Sequence, residues 1–207
     1  MSSPEPASPP TRRSHAERRR TTQAQLIEAT IESLVEDGWS GTTTRSVAQR
    51  AGVSQGAQQH YFPTKRALVE AALASILEEQ QSLAATWSIP DAAGERAAFV
   101  LDKLWEIHCL PVNQAVQELL TVARTDPETA DAMSRLVVEA ERQAVAAAGI
   151  VMAEAAGRPG FAEWVRTSVA TMRGLVGVAA VGDPSRSDLW PDARAVLLRG
   201  LPRDEKS

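Results

Sequence analysis

Apolar residues recur along most of the chain at intervals of three and four positions, the spacing of an amphipathic helix. The first such stripe lies within residues 27–35 and ends at Gly38, and a longer one runs from after Pro63 to about Trp87. No segment alternates apolar and polar residues with the period of two that marks a half-buried strand. The pattern therefore predicts an all-α fold of about nine helices.

Glycines and prolines mark where the predicted helices begin and end. Pro111 is expected in a first helical turn, where proline is tolerated, and Gly157–Gly160 interrupt the pattern. After the first helix, the predicted segments are 43–51, 54–61, 64–87, 91–108, 111–125, 126 to before 157, 161–181 and 189–201.

Two short helices separated by a tight turn predict a helix-turn-helix at about residues 43–62. Gly52 supplies the positive φ needed to leave the first helix, Val53 fills the space between the helices, and Ser54 caps the second. The helix at 54–61 is about 12 Å long at the usual rise per residue. It is therefore short enough to lie in a major groove about 12 Å wide.

The stretch from about Gln25 to Leu73 resembles the DNA-binding domain of the TetR family of transcriptional regulators. The resemblance is carried by TTRSVAQRAGVS at 43–54, GA at 56–57, HYFPTK at 60–65 and AL at 67–68. It implies a three-helix DNA-binding domain at 21–66, with a helical ligand-binding and dimerisation domain at 67–207.

The resemblance also implies roles for individual residues of the helix-turn-helix. The positions that face base edges are Arg45, Gln55, Gly56 and Gln59. Those that contact DNA phosphates are Thr44, Ser54, His60, Tyr61 and Lys65. A glutamine amide can pair with two atoms of adenine, whereas hydroxyl and ammonium groups position the domain on phosphates without reading sequence.

Gln58 and Gln59 depart from the family pattern, which often has an apolar residue followed by an aromatic one. If Gln58 lies on the inner side of its helix, its amide must find a backbone partner or extend outward to water. This departure bears on the operator sequence rather than on DNA binding.

The charge is unevenly distributed along the chain. The net charge is −4, but residues 1–66 carry +3 and residues 67–207 carry −7. Residues 1–20 combine prolines and serines with five arginines, and we expect a disordered basic arm there. The arm is either a solvated tail or a segment that becomes ordered along DNA phosphates or in a minor groove.

The larger, acidic part is expected to hold a ligand pocket built from bulky apolar residues and a few polar ones. The candidates are Trp87, Phe99, Trp105, His108, Gln117, Leu120, Met133, Trp164 and Thr171. Since no positive patch marks these helices, an apolar or aromatic small molecule is the preferred effector. Glu118 and Arg124 are read as a solvated or structural pair.

The segment 161–181 is apolar on two faces, so one face is free to meet a second copy across a two-fold axis. The alternative is that both faces serve an internal core. The predicted interface residues are Phe161, Val165, Val169, Met172, Val176, Val196 and Leu197. Such a dimer would place its recognition helices about 34–36 Å apart, on a palindromic operator.

Several other classes of protein are disfavoured. A single cysteine, Cys109, excludes an internal disulfide framework, and no membrane span or secretory signal is recognisable, so we expect a cytoplasmic protein. His15, His60 and His108 have no metal-ligand spacing, and His108 and Cys109 point about 100° apart on one helix. No enzymatic site, metal or cofactor is expected.

The sequence as a whole predicts a bacterial-type, ligand-responsive transcriptional regulator. In this interpretation, a homodimeric repressor leaves its palindromic operator when a small-molecule effector binds. The alternative is a constitutive or architectural DNA-binding protein whose C-terminal domain only dimerises. An enclosed cavity favours the first hypothesis, and a filled core favours the second.

Overall fold

A computed structural model of the chain describes residues 15–179 and 189–203, and within them it contains ten helices and no strand. The helices are α1 (His15–Glu36), α2 (Gly38–Gly41), α3 (Thr44–Arg50), α4 (Gln55–Tyr61), α5 (Lys65–Ala85), α6 (Ala93–His108), α7 (Pro111–Ala123), α8 (Pro127–Val151), α9 (Phe161–Ala179) and α10 (Trp190–Arg199). The all-α prediction is confirmed. The additional helix is α2, a single turn too short to produce an apolar stripe.

The helix boundaries follow from local capping. The Thr43 hydroxyl accepts a hydrogen bond from the Ser46 backbone amide, and the Ser46 hydroxyl accepts one from the Thr43 backbone amide, which begins α3. The Ser54 hydroxyl accepts from the Ala57 amide at the start of α4. Between these helices Gly52 adopts φ 66°, the left-handed conformation expected for the turn.

The first helix begins earlier than the sequence predicted. Residues 15–20 belong to α1 rather than to a disordered arm, so that part of the expectation is wrong. Arginine, glutamate and alanine are good helix formers, and they extend the helix toward the N-terminus. The rest of the predicted arm, residues 1–14, lies outside the described residues.

The N-terminal helices share a small core of their own. Leu26 of α1, Val47 of α3 and Leu68 of α5 have no exposed surface, and Val53 of the turn packs against them. Outside this core, the Arg50 guanidinium contacts Glu36 at 2.6 Å. It also contacts Asp37, at 3.0 Å. The packing and these ion pairs hold the helix-turn-helix against α1.

The remaining helices form two further apolar clusters. One lies between α1 and α5 on one side and α7 and α8 on the other, and it includes Leu34, Val69, Leu119 and Met133. The second is built from α6, α8, α9 and α10. Because α1 and α5 contribute to both the N-terminal core and the first of these clusters, the N-terminal helices and the rest of the chain are packed together. Among the described helices, none is long and apolar enough to cross a membrane.

The left-handed glycine of the turn gives a test of the fold. We expect Gly52→Ala to lower the free energy of unfolding by about 1–2 kcal/mol, because a Cβ is strained at positive φ. Gly56→Ala is the matched control: neither position has an atom within 4 Å of an added Cβ, but Gly56 is helical. The control should stabilise by about 0.5–1 kcal/mol in the same urea titration. Equal effects of the two changes would contradict this explanation.

Candidate functional site

The helix-turn-helix presents its predicted base-reading side chains to solvent. Gln55, Gly56 and Gln59 of α4 are exposed, and so is Arg45 of α3. The Gln59 and Arg45 side chains make no hydrogen bond to another described residue. They are therefore available to an external partner.

Gln58 lies on the opposite, inner side of α4 and is fully buried. The Gln58 Nε2 donates to the backbone carbonyl of Phe62 at 2.5 Å, and the Gln58 Oε1 accepts from the side-chain Nε2 of Gln55 at 3.0 Å. Of the two outcomes expected for an inward-facing Gln58, the structure contains the backbone partner. The same hydrogen bond orients the Gln55 side chain at the start of α4.

The predicted phosphate contacts divide into two groups. Ser54 and His60 are exposed, Thr44 and Tyr61 are half-buried, and the His60 and Tyr61 rings meet edge to face at 5.0 Å. Lys65 is different, because its Nζ donates to the Trp39 carbonyl and lies 3.6 Å from the centroid of the Trp39 ring. Burial lowers the pKa of Lys65, and the Glu118 carboxylate opposes that shift. Lys65 thus has a structural role that the sequence did not indicate.

A second link joins Trp39 to the part of the chain after residue 66, which is called the body below. The Trp39 amide donates to Oε1 of Glu118 in α7 at 2.9 Å. The preceding residue, Gly38, has φ 67°, and a Cβ there would lie 2.8 Å from Glu118 Oε2. Glu118 is therefore engaged by the short helix α2, and no ion pair joins it to Arg124 within the described chain.

The helices that follow the helix-turn-helix line a partly open cavity of about 350 Å³. This volume lies within the roughly 300–1,000 Å³ typical of small-molecule sites. Four of the predicted pocket residues line it: Trp87, His108, Gln117 and Leu120.

The other five predicted pocket residues are absent from its lining, because each packs elsewhere. Phe99 packs edge to face against Trp87, and Trp105 stacks on Trp190 at 4.7 Å. Met133 and Trp164 are buried in the two apolar clusters of the body. The hydroxyl of Thr171 donates to the Thr167 carbonyl in its own helix. The structure therefore places these five side chains outside the lining of this cavity.

The cavity contains a cationic group that sequence reasoning missed. Arg173 of α9 lines it together with His108, and Gln117 Nε2 donates to the Arg173 carbonyl at 2.8 Å. Burial lowers the pKa of Arg173, and Glu141 opposes that shift. One signal was present in the sequence, since Arg173 is the only charged residue between Arg166 and Asp183.

His108 is a neutral neighbour of this guanidinium. Its Nδ1 lies 2.7 Å from the Leu104 carbonyl. Burial lowers the pKa of His108, the bond to Leu104 raises it, and the charge of Arg173 lowers it. Because the net shift is downward from 6.5, the imidazole is uncharged at neutral pH.

Comparison with known proteins identifies the helix-turn-helix. The family model described as "Bacterial regulatory proteins, tetR family" matches residues 26–72. Residues 26–72 are thus a DNA-binding domain of the TetR family. The TetR-family regulator BetI of Burkholderia thailandensis, described as an HTH-type transcriptional regulator, is 51% identical over 57 residues, which are 28% of this chain and 29% of BetI. The chain thus matches less than a third of the length of this relative.

Solved structures extend the likeness of fold beyond the helix-turn-helix. A transcriptional regulator from Rhodococcus sp. Rha1 aligns with a TM-score of 0.67 at 22% identity, over 86% of this chain and 95% of that one. FadR from Bacillus subtilis, solved with stearoyl-CoA, aligns with a TM-score of 0.61 at 17% identity, over 86% and 98% of the two chains. At these identities the comparison shows the TetR-family fold alone.

The predicted dimer interface requires a correction. Phe161, Val165, Val169, Met172 and Leu197 are buried in the core of the chain itself. They cannot offer a surface to a second copy, so the alternative of an internal core is correct for them. Val176 is half-buried and Val196 is exposed, and these two remain candidates.

The buried amide of Gln58 gives a second test. We expect Gln58→Leu to lower the free energy of unfolding by about 1–2 kcal/mol, because the Phe62 carbonyl and the Gln55 amide each lose a partner. The neighbouring change Gln59→Leu, on the exposed side, should stay within about 0.5 kcal/mol of the unmodified chain. Urea unfolding of both variants measures the difference, and an equally stable Gln58→Leu variant would show that these bonds contribute nothing.

Proposed function

We propose that this chain is a ligand-responsive transcriptional repressor that binds a palindromic operator as a homodimer. The proposal combines three features: the helix-turn-helix of the TetR family, the cavity in the body, and the helix α7 that contacts both.

The observation that carries the proposal is the position of α7. This helix lines the cavity through Asn113, Val116, Gln117 and Leu120, and it holds the Trp39 amide through Glu118. A ligand that favours one position of α7 therefore changes the relative stability of two placements of the DNA-binding part. Such a response requires different affinities of the ligand for the two states.

We assign base reading to Gln55, Gln59 and Arg45 with Gly56, which allows close approach. Phosphate contacts are assigned to Thr44, Ser54, His60 and Tyr61, and to Lys65 when it leaves the Trp39 carbonyl. The exposure of Gln59 and Arg45 supports the first assignment. The hydroxyl donors support the second, because such groups position a domain on the backbone of DNA.

The exposed apolar residues of α9 and α10 support a two-fold dimer. Val178 is 49% exposed and Val196 is 58% exposed, and the neighbouring Gly174 has no atom near its Cβ direction. Since α9 and α10 pack against each other, these exposed side chains lie on neighbouring helices, and the proposal is that a partner covers them. A second copy of the chain is the partner that a palindromic operator requires.

Selection of bound sequences from a random DNA pool tests the proposal as a whole. We expect an enriched sequence with two-fold symmetry, and weaker binding of that sequence when a metabolite library supplies an effector. A constitutive or architectural protein would bind DNA equally well with and without every compound.

Gln59 provides a test of base reading. We expect Gln59→Ala to weaken binding to the selected operator by about 1–3 kcal/mol and to leave binding to random DNA nearly unchanged. Gln114→Ala, an exposed glutamine of α7, should change neither. Fluorescence anisotropy with both DNAs measures the ratio, and equal losses on the two would remove Gln59 from base reading.

Glu118 provides a test of the link between cavity and DNA-binding part. We expect Glu118→Ala to retain operator binding and to reduce the release caused by an effector from the screen, because α7 loses its bond to Trp39. Gln114→Ala on the same helix is again the control. Operator titrations with and without effector measure the coupling free energy, and an unchanged value would exclude this link.

A further inference from the structure

Arg173 stands out because its charge is partly buried and no group of the described chain is directly paired with it. Its side chain makes no hydrogen bond or ion pair within the described part of the chain. The carboxylate that acts on its pKa is that of Glu141, and this group lies 3.9 Å from a different guanidinium, that of Arg166. A cation in a partly buried, largely apolar site is costly unless a counter-charge joins it.

Other arginines of the body have carboxylate partners. Arg142, which lines the same cavity, holds Glu139 through two hydrogen bonds of 2.8 and 2.6 Å. Arg194 holds Asp102 in the same two-bond manner, and Arg96 contacts Glu154 at 3.1 Å. In contrast to these, the guanidinium of Arg173 is left for something that enters the cavity.

The groups around Arg173 limit what that occupant is. Apolar side chains of four helices, including Ile76, Leu120, Val151 and Val169, form much of the wall. His108 is uncharged and its Nδ1 is taken by Leu104, while Gln117 already donates to the Arg173 carbonyl. The cavity therefore presents one positive charge without a direct partner, that of Arg173, beside a large apolar surface.

We propose that the cavity binds a small amphipathic carboxylate, whose acid group pairs with Arg173 and whose apolar body fills the space between α5, α7, α8 and α9. This inference rests on the proposed role of the cavity as the effector site. It modifies the sequence-based preference for a purely apolar or aromatic molecule by adding one anionic group. A guanidinium binds a carboxylate through two parallel hydrogen bonds, which fixes the orientation of the ligand.

Ligands with any other charge fit the cavity less well than a monocarboxylate. A cationic ligand would be repelled by Arg173, and a neutral one would leave the guanidinium enclosed without a counter-charge. A ligand with several negative charges would bring more charge into the apolar site than one guanidinium neutralises. A monocarboxylate avoids each of these costs.

Three unbranched probes of ten carbon atoms isolate the contribution of the head group: decanoate, decan-1-ol and decylammonium. Isothermal titration of the full-length chain with each compound is the measurement. We expect decanoate to bind roughly 10- to 100-fold more tightly than decan-1-ol, the range for a charge-assisted hydrogen bond, and decylammonium to bind most weakly.

Variants of the two cavity arginines complete the experiment. Arg173→Gln should remove the preference for decanoate and leave decan-1-ol binding within a few-fold, whereas Arg173→Lys should retain part of the preference. Arg142→Gln is the matched control, because its guanidinium is already paired with Glu139. Circular dichroism and urea unfolding establish that each variant is folded. If Arg173→Gln fails to fold, the ranking of the three probes on the unmodified chain and the Arg173→Lys variant decide the question.

Equal binding of decanoate and decan-1-ol would overturn the inference. So would decanoate binding that survives Arg173→Gln, or no measurable decanoate binding by the folded chain. Operator titrations test the proposed function separately from the carboxylate site. Decanoate that binds through Arg173 without altering DNA affinity supports the carboxylate site and contradicts its effector role. Release of DNA by a compound that does not depend on Arg173 supports the repressor and contradicts the carboxylate site.

Discussion

The packing of α1 and α5 against α7 and α8 is the constraint on which the rest of the structure depends. Leu34 and Val69 come from the helices that carry the helix-turn-helix, and Leu119 and Met133 come from the helices that surround the cavity. Since interiors are packed densely and transmit small displacements, neither group of helices can shift without the other. Apolar packing has no preferred direction, and the hydrogen bond between Glu118 and Trp39 adds a directional contact between the same two groups of helices.

The parts of the structure that sequence reasoning predicted are those with local causes. The turn at Gly52, the cap at Ser54 and the backbone partner of Gln58 each depend on residues within a few positions along the chain. The cavity depends on which face of each long helix turns inward, and tertiary packing decides that. For this reason Trp105 and Trp164 were expected in the cavity but pack elsewhere.

The error in the dimer interface has a related cause. An apolar helix face has the same pattern whether it packs within its own chain or against a second copy, so Val165 and Met172 could not be distinguished from interface residues by periodicity. Arg173 was overlooked for a different reason. The net charge of residues 67–207 is negative, and that sum conceals a single cation that lines the cavity. Charges separated by more than about 10 Å are largely screened at ordinary salt, so the local environment of that cation counts for more than the net −7.

The fit between Gly38 and Glu118 also limits how this protein can be recombined with its relatives. A DNA-binding part with any other residue at position 38 would place a Cβ against the Glu118 carboxylate, in addition to the strain of a positive φ. A body with another residue at position 118 would leave the Trp39 amide without its acceptor. Chimeric regulators made from this chain therefore need to exchange Gly38, Trp39 and Glu118 as one unit, wherever the splice point is placed.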